Sequence, residues 1–143
     1  MYTKIQVVFD AADPAELADF WALALGYVTE PPPPGFDTWE DFGHSINLPE
    51  ERFGDLAALI DPDGQGPRLF FQRVPEGKTA KNRVHLDVRP AGREVPEAER
   101  ARLIQEHVDR LLAAGATRAW VVDEPAGKAI VLRDPEGNEF CVS

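Results

Sequence analysis

A four-residue turn sequence occurs twice in this 143-residue chain, first as Asp61-Pro62-Asp63-Gly64 and then as Asp134-Pro135-Glu136-Gly137. In each copy, proline presets φ at one central position of the turn and glycine accepts a positive φ. Apolar runs of β type lie on both sides of each copy, so the sequence predicts two hairpins. The copies lie about half a chain length apart, which predicts two halves of the same design.

Each half has the pattern strand, helix and then three strands, which predicts an α+β fold of tandem βαβββ modules. The predicted strands cover residues 5–9, 27–29, 55–60 and 68–74 in the first half, and 84–88, 117–122, 128–133 and 138–142 in the second. Helices are predicted at 14–25 and 96–114, and the first half has an additional short helix between 36 and 48. We expect a single domain over residues 1–143, with halves of about 1–76 and 77–143 and a ligand cleft between their sheets.

Composition and charge narrow the class of protein. The formal net charge is −10. A nucleic-acid-binding protein needs a basic face, which a charge of this sign argues against. The single cysteine excludes an internal disulfide and fits a reducing compartment. No apolar run approaches the ~18 residues of a membrane span, and the N-terminal residues do not form a signal segment. The chain is therefore expected to be cytoplasmic, with neither a nucleic acid nor a membrane as a partner.

Several motifs of the sequence are similar to those of a known family. They lie at residues 8–14 together with 20–21, and at 25–27, 60–64, 67–72, 82–87 and 134–140. On these motifs the chain resembles the vicinal oxygen chelate superfamily, which includes glyoxalase I, bleomycin-resistance proteins and extradiol dioxygenases. It is most similar to the small glyoxalase-like branch. The resemblance implies the paired βαβββ fold and a homodimer.

The resemblance also implies where a divalent metal ion would bind. Metal-using members hold the ion on the first and last strands of each half, and the matching positions here are Gln6, Gln72 (or, less well, Phe71), His85 and Cys141. Both positions where such members have glutamate lack one. Neutral amides are poor substitutes for the anionic oxygens that offset the dehydration of such an ion. We therefore expect no metal cofactor.

Three residues of the second half have two interpretations each. His85 is either a pocket residue, as metal ligand or acid–base group, or a hydrogen-bonded interior histidine. Asp87 either orients His85 or is solvated or paired with a neighbouring arginine. Cys141 is interpreted as a small buried apolar residue in preference to a nucleophile or ligand. His107, flanked by Glu106 and Asp109, is predicted to lie on a solvated helix face.

The aromatic residues of the first half suggest a ligand-binding element. Trp39 and Phe42 follow the proline run 31–34, and a helix carrying them would close over a flat apolar ligand. The alternatives are ordinary packing or a dimer contact. Phe70 and Phe71 point to opposite faces of their strand, one under the helix and one towards the cleft, and alternation does not decide which.

The sequence thus predicts a metal-free protein that binds a small aromatic or amphipathic molecule. The expected ligand-binding residues are Gln6, Trp39, Phe42, Gln72, His85 and Cys141. The first alternative is a divalent-metal-dependent lyase, isomerase or dioxygenase, and in an enzyme His85 is the expected catalytic residue. The second alternative is an inert structural or interaction dimer.

Overall fold

The computed structural model describes all 143 residues and divides them into two compact units. The first unit comprises Met1–Ala22 and Gly26–Gly77, and the second comprises Leu23–Leu25 and Lys78–Ser143. Each unit contains one four-stranded sheet. No helix of the chain combines the length and the apolar character needed to cross a membrane.

The first unit follows the predicted strand–helix–three-strand order. Its elements are β1 (Gln6–Ala11), α1 (Pro14–Leu25, of which Leu23–Leu25 belong to the second unit), β2 (Val28–Thr29), α2 (Trp39–Ser45), a 3₁₀ helix (Glu50–Asp55), β3 (Leu56–Ile60) and β4 (Arg68–Arg73). The strand order in the sheet is β1-β4-β3-β2, with β1 parallel to β4 and the other pairs antiparallel. The 3₁₀ helix was not predicted.

The second unit repeats this topology. Its elements are β5 (Asp87–Val88), α3 (Glu97–Ala113), β6 (Thr117–Glu124), β7 (Gly127–Arg133) and β8 (Glu139–Val142). The strand order is β5-β8-β7-β6, with β5 parallel to β8. The α+β class with two βαβββ modules is therefore confirmed. β5 is shorter than the predicted strand 84–88.

The repeated turns join β3 to β4 and β7 to β8, as predicted. Their glycines have the expected positive φ, 68° at Gly64 and 89° at Gly137. The first aspartate of each turn has a role that the turn type alone did not predict. The Asp61 carboxylate accepts hydrogen bonds from three backbone amides, and the buried Asp134 carboxylate accepts from two amides and from the side chain of Asn138.

The core of the first unit lies between α1 and one face of its sheet. Phe9 stacks on Phe71 with ring centroids 5.1 Å apart, and Trp21 of α1 packs against Phe9 at the same distance. Phe71 is 0% exposed, so it is the phenylalanine under the helix. Phe70 therefore lies on the opposite face of the sheet.

The prediction that His107 is solvated was wrong. His107 is buried, its Nε2 donates to the carbonyl of Ala24 at 3.0 Å, and its Nδ1 accepts from Arg110 at 2.8 Å. Burial lowers the pKa of His107 and so favours the neutral ring. The charged neighbours at 106 and 109 do not share its helix face, whereas Leu111, four residues later, does.

Replacing Gly26 by alanine is expected to destabilise the fold by about 1 kcal/mol, because Gly26 ends α1 in the left-handed region at φ 69°. A Cβ at this position would meet no atom within 4 Å, so the cost is conformational and not steric. The measurement is urea unfolding. Gly77→Ala is the matched control, since Gly77 also has open space around it but no positive φ. An equal loss in both variants would contradict the explanation.

Candidate binding pocket and polar clusters

A pocket of about 380 Å³ lies within the first unit. It is bounded by α1, α2, the 3₁₀ helix, β3 and β4, and its walls are mainly apolar. The larger apolar side chains that line it include Phe42, Ile46, Leu48, Phe53, Leu56 and Phe70. A concave apolar space with few polar groups is the usual form of a small-molecule site.

α2 supplies the aromatic wall of this pocket. Thr38 caps the helix by accepting a hydrogen bond from the amide of Asp41 at 3.0 Å. The Trp39 and Phe42 rings meet edge to face at 5.9 Å, and the Trp39 indole N–H donates to the carbonyl of Glu30 at 2.8 Å. Both residues line the pocket, and the indole is held in place by its hydrogen bond. These are the two residues that the sequence placed in a helix over a ligand.

A glycine allows α2 to approach the 3₁₀ helix. Gly43 is the buried residue of α2, and a Cβ there would lie 2.6 Å from the Phe53 ring. The His44 ring packs against the same phenylalanine at 5.1 Å. The 3₁₀ helix thereby places Phe53 in the pocket. Sequence reasoning missed Phe53, although the apolar residues at 46, 48, 53 and 56 were a usable signal.

Arg68 of β4 lines the pocket, and each of its three guanidinium nitrogens has a partner. Its Nε and Nη2 contact the two carboxylate oxygens of Glu30 at 3.0 and 2.5 Å. Its Nη1 donates to the Gln6 Oε1 at 2.7 Å, and the guanidinium lies 5.1 Å from the Phe70 ring centroid. Arg68 therefore helps to hold the Phe70 ring in place. Its guanidinium has no pair of unpartnered nitrogens with which to bind an anion at two points.

Gln6 and Gln72 lie on the same face of the first sheet as Phe70, but they do not line the pocket. The side-chain amide of Gln72 donates to the Asp10 carboxylate at 2.8 Å. Gln6 is engaged by Arg68 through the oxygen atom that would have to bind a metal ion. The structure thus gives both glutamines a neighbour within their own sheet.

His85, Asp87 and Cys141 form a polar cluster in the second unit. Their nearest potential ligand atoms all lie within 4.8 Å of one another, and the His85 Nε2 is 3.5 Å from the Asp87 carboxylate. His85 is exposed, so it is not an interior histidine. Asp87 lies beside the histidine and the cysteine, and not beside an arginine. Burial, and then the neighbouring Asp87, raise the pKa of the Cys141 thiol.

These donors do not fit the carboxylate-rich divalent site that the resemblance implies. The Gln6 oxygen already accepts from Arg68, and the Cys141 thiol is held in its protonated form. A hard ion prefers several anionic oxygens, whereas histidine and cysteine suit a softer ion such as zinc. The donor chemistry therefore gives no support to a step routed through such an ion.

Comparison with known proteins places this fold in a family. A family model described as a glyoxalase-like domain matches residues 6–143, while no curated protein matches the sequence. A possible glyoxalase from Bacillus cereus is similar in structure, with a TM-score of 0.60 and 15% identity, over 99% of this chain and 98% of that one.

Two other solved structures have the same fold. One is the bleomycin-binding protein from Streptomyces verticillus complexed with copper(II)-bleomycin (TM-score 0.53, 20% identity, 100% of this chain and 96% of that one). The other is the fosfomycin resistance protein FosX from Listeria monocytogenes (TM-score 0.62, 10% identity, 99% and 92%). At these identities the likeness concerns the fold alone. The chain belongs to the glyoxalase-like domain family.

Proposed function

We propose that the protein binds a small, mainly apolar aromatic molecule in the first-unit pocket, without a metal ion. The observation that carries this proposal is the wall of aromatic rings from Trp39, Phe42, Phe53 and Phe70 around about 380 Å³. Pockets of roughly 300–1,000 Å³ are the usual size for drug-like ligands. The expected cytoplasmic location and homodimer belong to the same proposal.

The walls favour a flat ring over a flexible polar ligand. Each Å² of apolar surface removed from water contributes roughly 25 cal/mol, and aromatic rings gain further from edge-to-face contacts. The Trp39 and Phe42 rings are already fixed relative to each other at 5.9 Å, so little side-chain order has to be created on binding. A preorganised aromatic wall thus supports binding of an aromatic ligand.

The metal-free part of the proposal is supported by the donors. The first unit offers glutamines where the resemblance implies metal ligands, and one of them is bound to Arg68. The second unit offers His85, Asp87 and Cys141, which favour a soft ion if any. This cluster is the specific observation behind the alternative function, a metal-dependent lyase, isomerase or dioxygenase in which His85 takes part.

The binding proposal is tested with anthracenemethanol, a neutral fluorescent probe, in a fluorescence titration. We expect saturable binding, and we expect Phe42→Ala to weaken it by tenfold or more, since about 1.4 kcal/mol corresponds to a factor of ten and a buried ring contributes more than that. Leu23→Ala is the control, because Leu23 is exposed and lies outside the pocket. Binding that is absent, or that is unchanged in Phe42→Ala, would contradict the proposal.

The metal question is answered by the same purified protein. After incubation with zinc, nickel, iron, manganese or cobalt and removal of free ion, mass spectrometry is expected to find no stoichiometric metal. Stoichiometric metal that is lost in His85→Ala would replace the metal-free proposal with the metal-dependent one. A protein that binds neither probe nor metal would favour the inert dimer.

A further inference from the structure

We infer that the first-unit pocket selects a ligand with a positive charge on its aromatic body, such as an aromatic amine, over the matching anion. This inference rests on the proposed binding function and adds the charge of the ligand to it. Two arginines and two carboxylates line the pocket, at Arg52, Arg68, Asp19 and Glu40. The two signs of charge differ in whether they already have partners.

Both arginines already contact a carboxylate within the first unit. Arg68 forms a two-point ion pair with Glu30 and also contacts Gln6. The Nε of Arg52 lies 3.1 Å from the Asp55 carboxylate, which also contacts Arg73. An anionic ligand would have to displace Glu30 from Arg68, which would leave a half-buried carboxylate without its partner. An incoming anion would therefore have to compete with a carboxylate that each arginine already contacts.

Unlike the two arginines, the two carboxylates of the pocket have no charged partner. Asp19 on α1 and Glu40 on α2 both line the pocket, and neither forms an ion pair or a side-chain hydrogen bond. The one indole donor in the wall, that of Trp39, is already used by the Glu30 carbonyl. The polar groups left for a ligand are thus mostly acceptors, and two of them are negatively charged.

The aromatic wall of the pocket also favours a cationic ligand. The faces of tryptophan and phenylalanine rings attract cations, most strongly for tryptophan. The formal net charge of −10 adds a long-range field that concentrates cations and repels anions at low ionic strength. The local carboxylates, the rings and the overall charge therefore all favour a cationic ligand.

The test compares three anthracene probes of the same shape, the aminomethyl cation, the neutral methanol and the carboxylate anion, at low ionic strength and neutral pH. We expect the cation to bind on the order of tenfold or more tighter than the anion, with the alcohol between them, and we expect added salt to narrow the difference. Equal affinities, or tighter binding of the anion, would overturn the charge inference while leaving the pocket as an aromatic site. Failure of all three probes to bind would overturn both.

A variant without the two pocket carboxylates tests whether they cause the preference for the cationic probe. The double variant Asp19→Asn with Glu40→Gln is expected to weaken binding of the cation by roughly fivefold and to weaken binding of the alcohol by less, so that the preference for the cation narrows. Glu51→Gln is the matched control, since it removes one exposed carboxylate that does not line the pocket. A cation preference that survives in the double variant, or that falls equally in the control, would overturn the assignment to Asp19 and Glu40.

Discussion

Replacing Phe71 by alanine is expected to lower the free energy of unfolding by about 3–5 kcal/mol, the usual cost of truncating a fully buried phenylalanine. Phe71 is 0% exposed and stacks on Phe9, which in turn packs against Trp21 of α1. Its loss leaves a cavity at the centre of the first unit, where helix and sheet meet. Urea unfolding followed by tryptophan fluorescence measures the change.

The adjacent Phe70 is the matched comparison, because the two side chains lie on opposite faces of β4. Phe70→Ala is expected to cost less stability, roughly 1–2 kcal/mol, since this ring is only partly buried. It is also expected to weaken anthracenemethanol binding, because Phe70 lines the pocket. A larger loss of stability in Phe70→Ala than in Phe71→Ala would contradict the assignment of the two faces.

Replacing Glu139 by glutamine is expected to cost about 2 kcal/mol of stability at neutral pH, and less as the pH falls. The Glu139 carboxylate is 7% exposed, and it accepts from the Asn82 amide at 3.0 Å and from the Lys78 ammonium at 3.1 Å. The Asn82 hydrogen bond, followed by the Lys78 contact, lowers the pKa of Glu139 to about 2. The carboxylate thus ties residues 78 and 82 to β8.

The pH dependence follows from the direction of that pKa shift. Since the folded pKa is below the ordinary value of 4.5, the stabilisation is complete above that value. It is lost as the pH falls from about 4.5 to about 2, and wild type and Glu139→Gln should converge there. Glu124→Gln, an exposed carboxylate at the end of β6, is the control and should follow wild type. A constant difference between wild type and Glu139→Gln across this range would contradict the explanation.

The fold was predictable from sequence because its signals are local and occur twice. The two Asp-Pro turns each act within a few residues, and the structure confirms both of them. The prediction that His107 is solvated was wrong because it was based on the charged residues next to it in sequence, Glu106 and Asp109, which do not share its face of the helix. Residues four apart share a face of a helix, and that pattern points His107 towards the buried Leu111.

The polar contacts of the site depend on pairings that sequence does not contain. The Gln6 and Arg68 side chains meet because β1 and β4 are paired in parallel with these residues in register. The sequence around either residue does not indicate that register. Glu30 reaches Arg68 from the segment that follows β2. By contrast, Trp39 and Phe42 were predictable as a pair because their helical spacing is local. The positions of Gln72, His85 and Cys141 as ligand-binding residues remain predictions.

The central claim is that an aromatic ligand occupies the pocket between α2, β3 and β4. The most direct measurement is an NMR titration of isotope-labelled protein with anthracenemethanol, with amide chemical shifts followed residue by residue. The claim predicts that the largest shifts fall on the pocket residues, among them Phe42, Gly43, Phe53, Ala58 and Phe70. Shifts that concentrate instead around His85, Asp87 and Cys141, or no shifts at all, would contradict it.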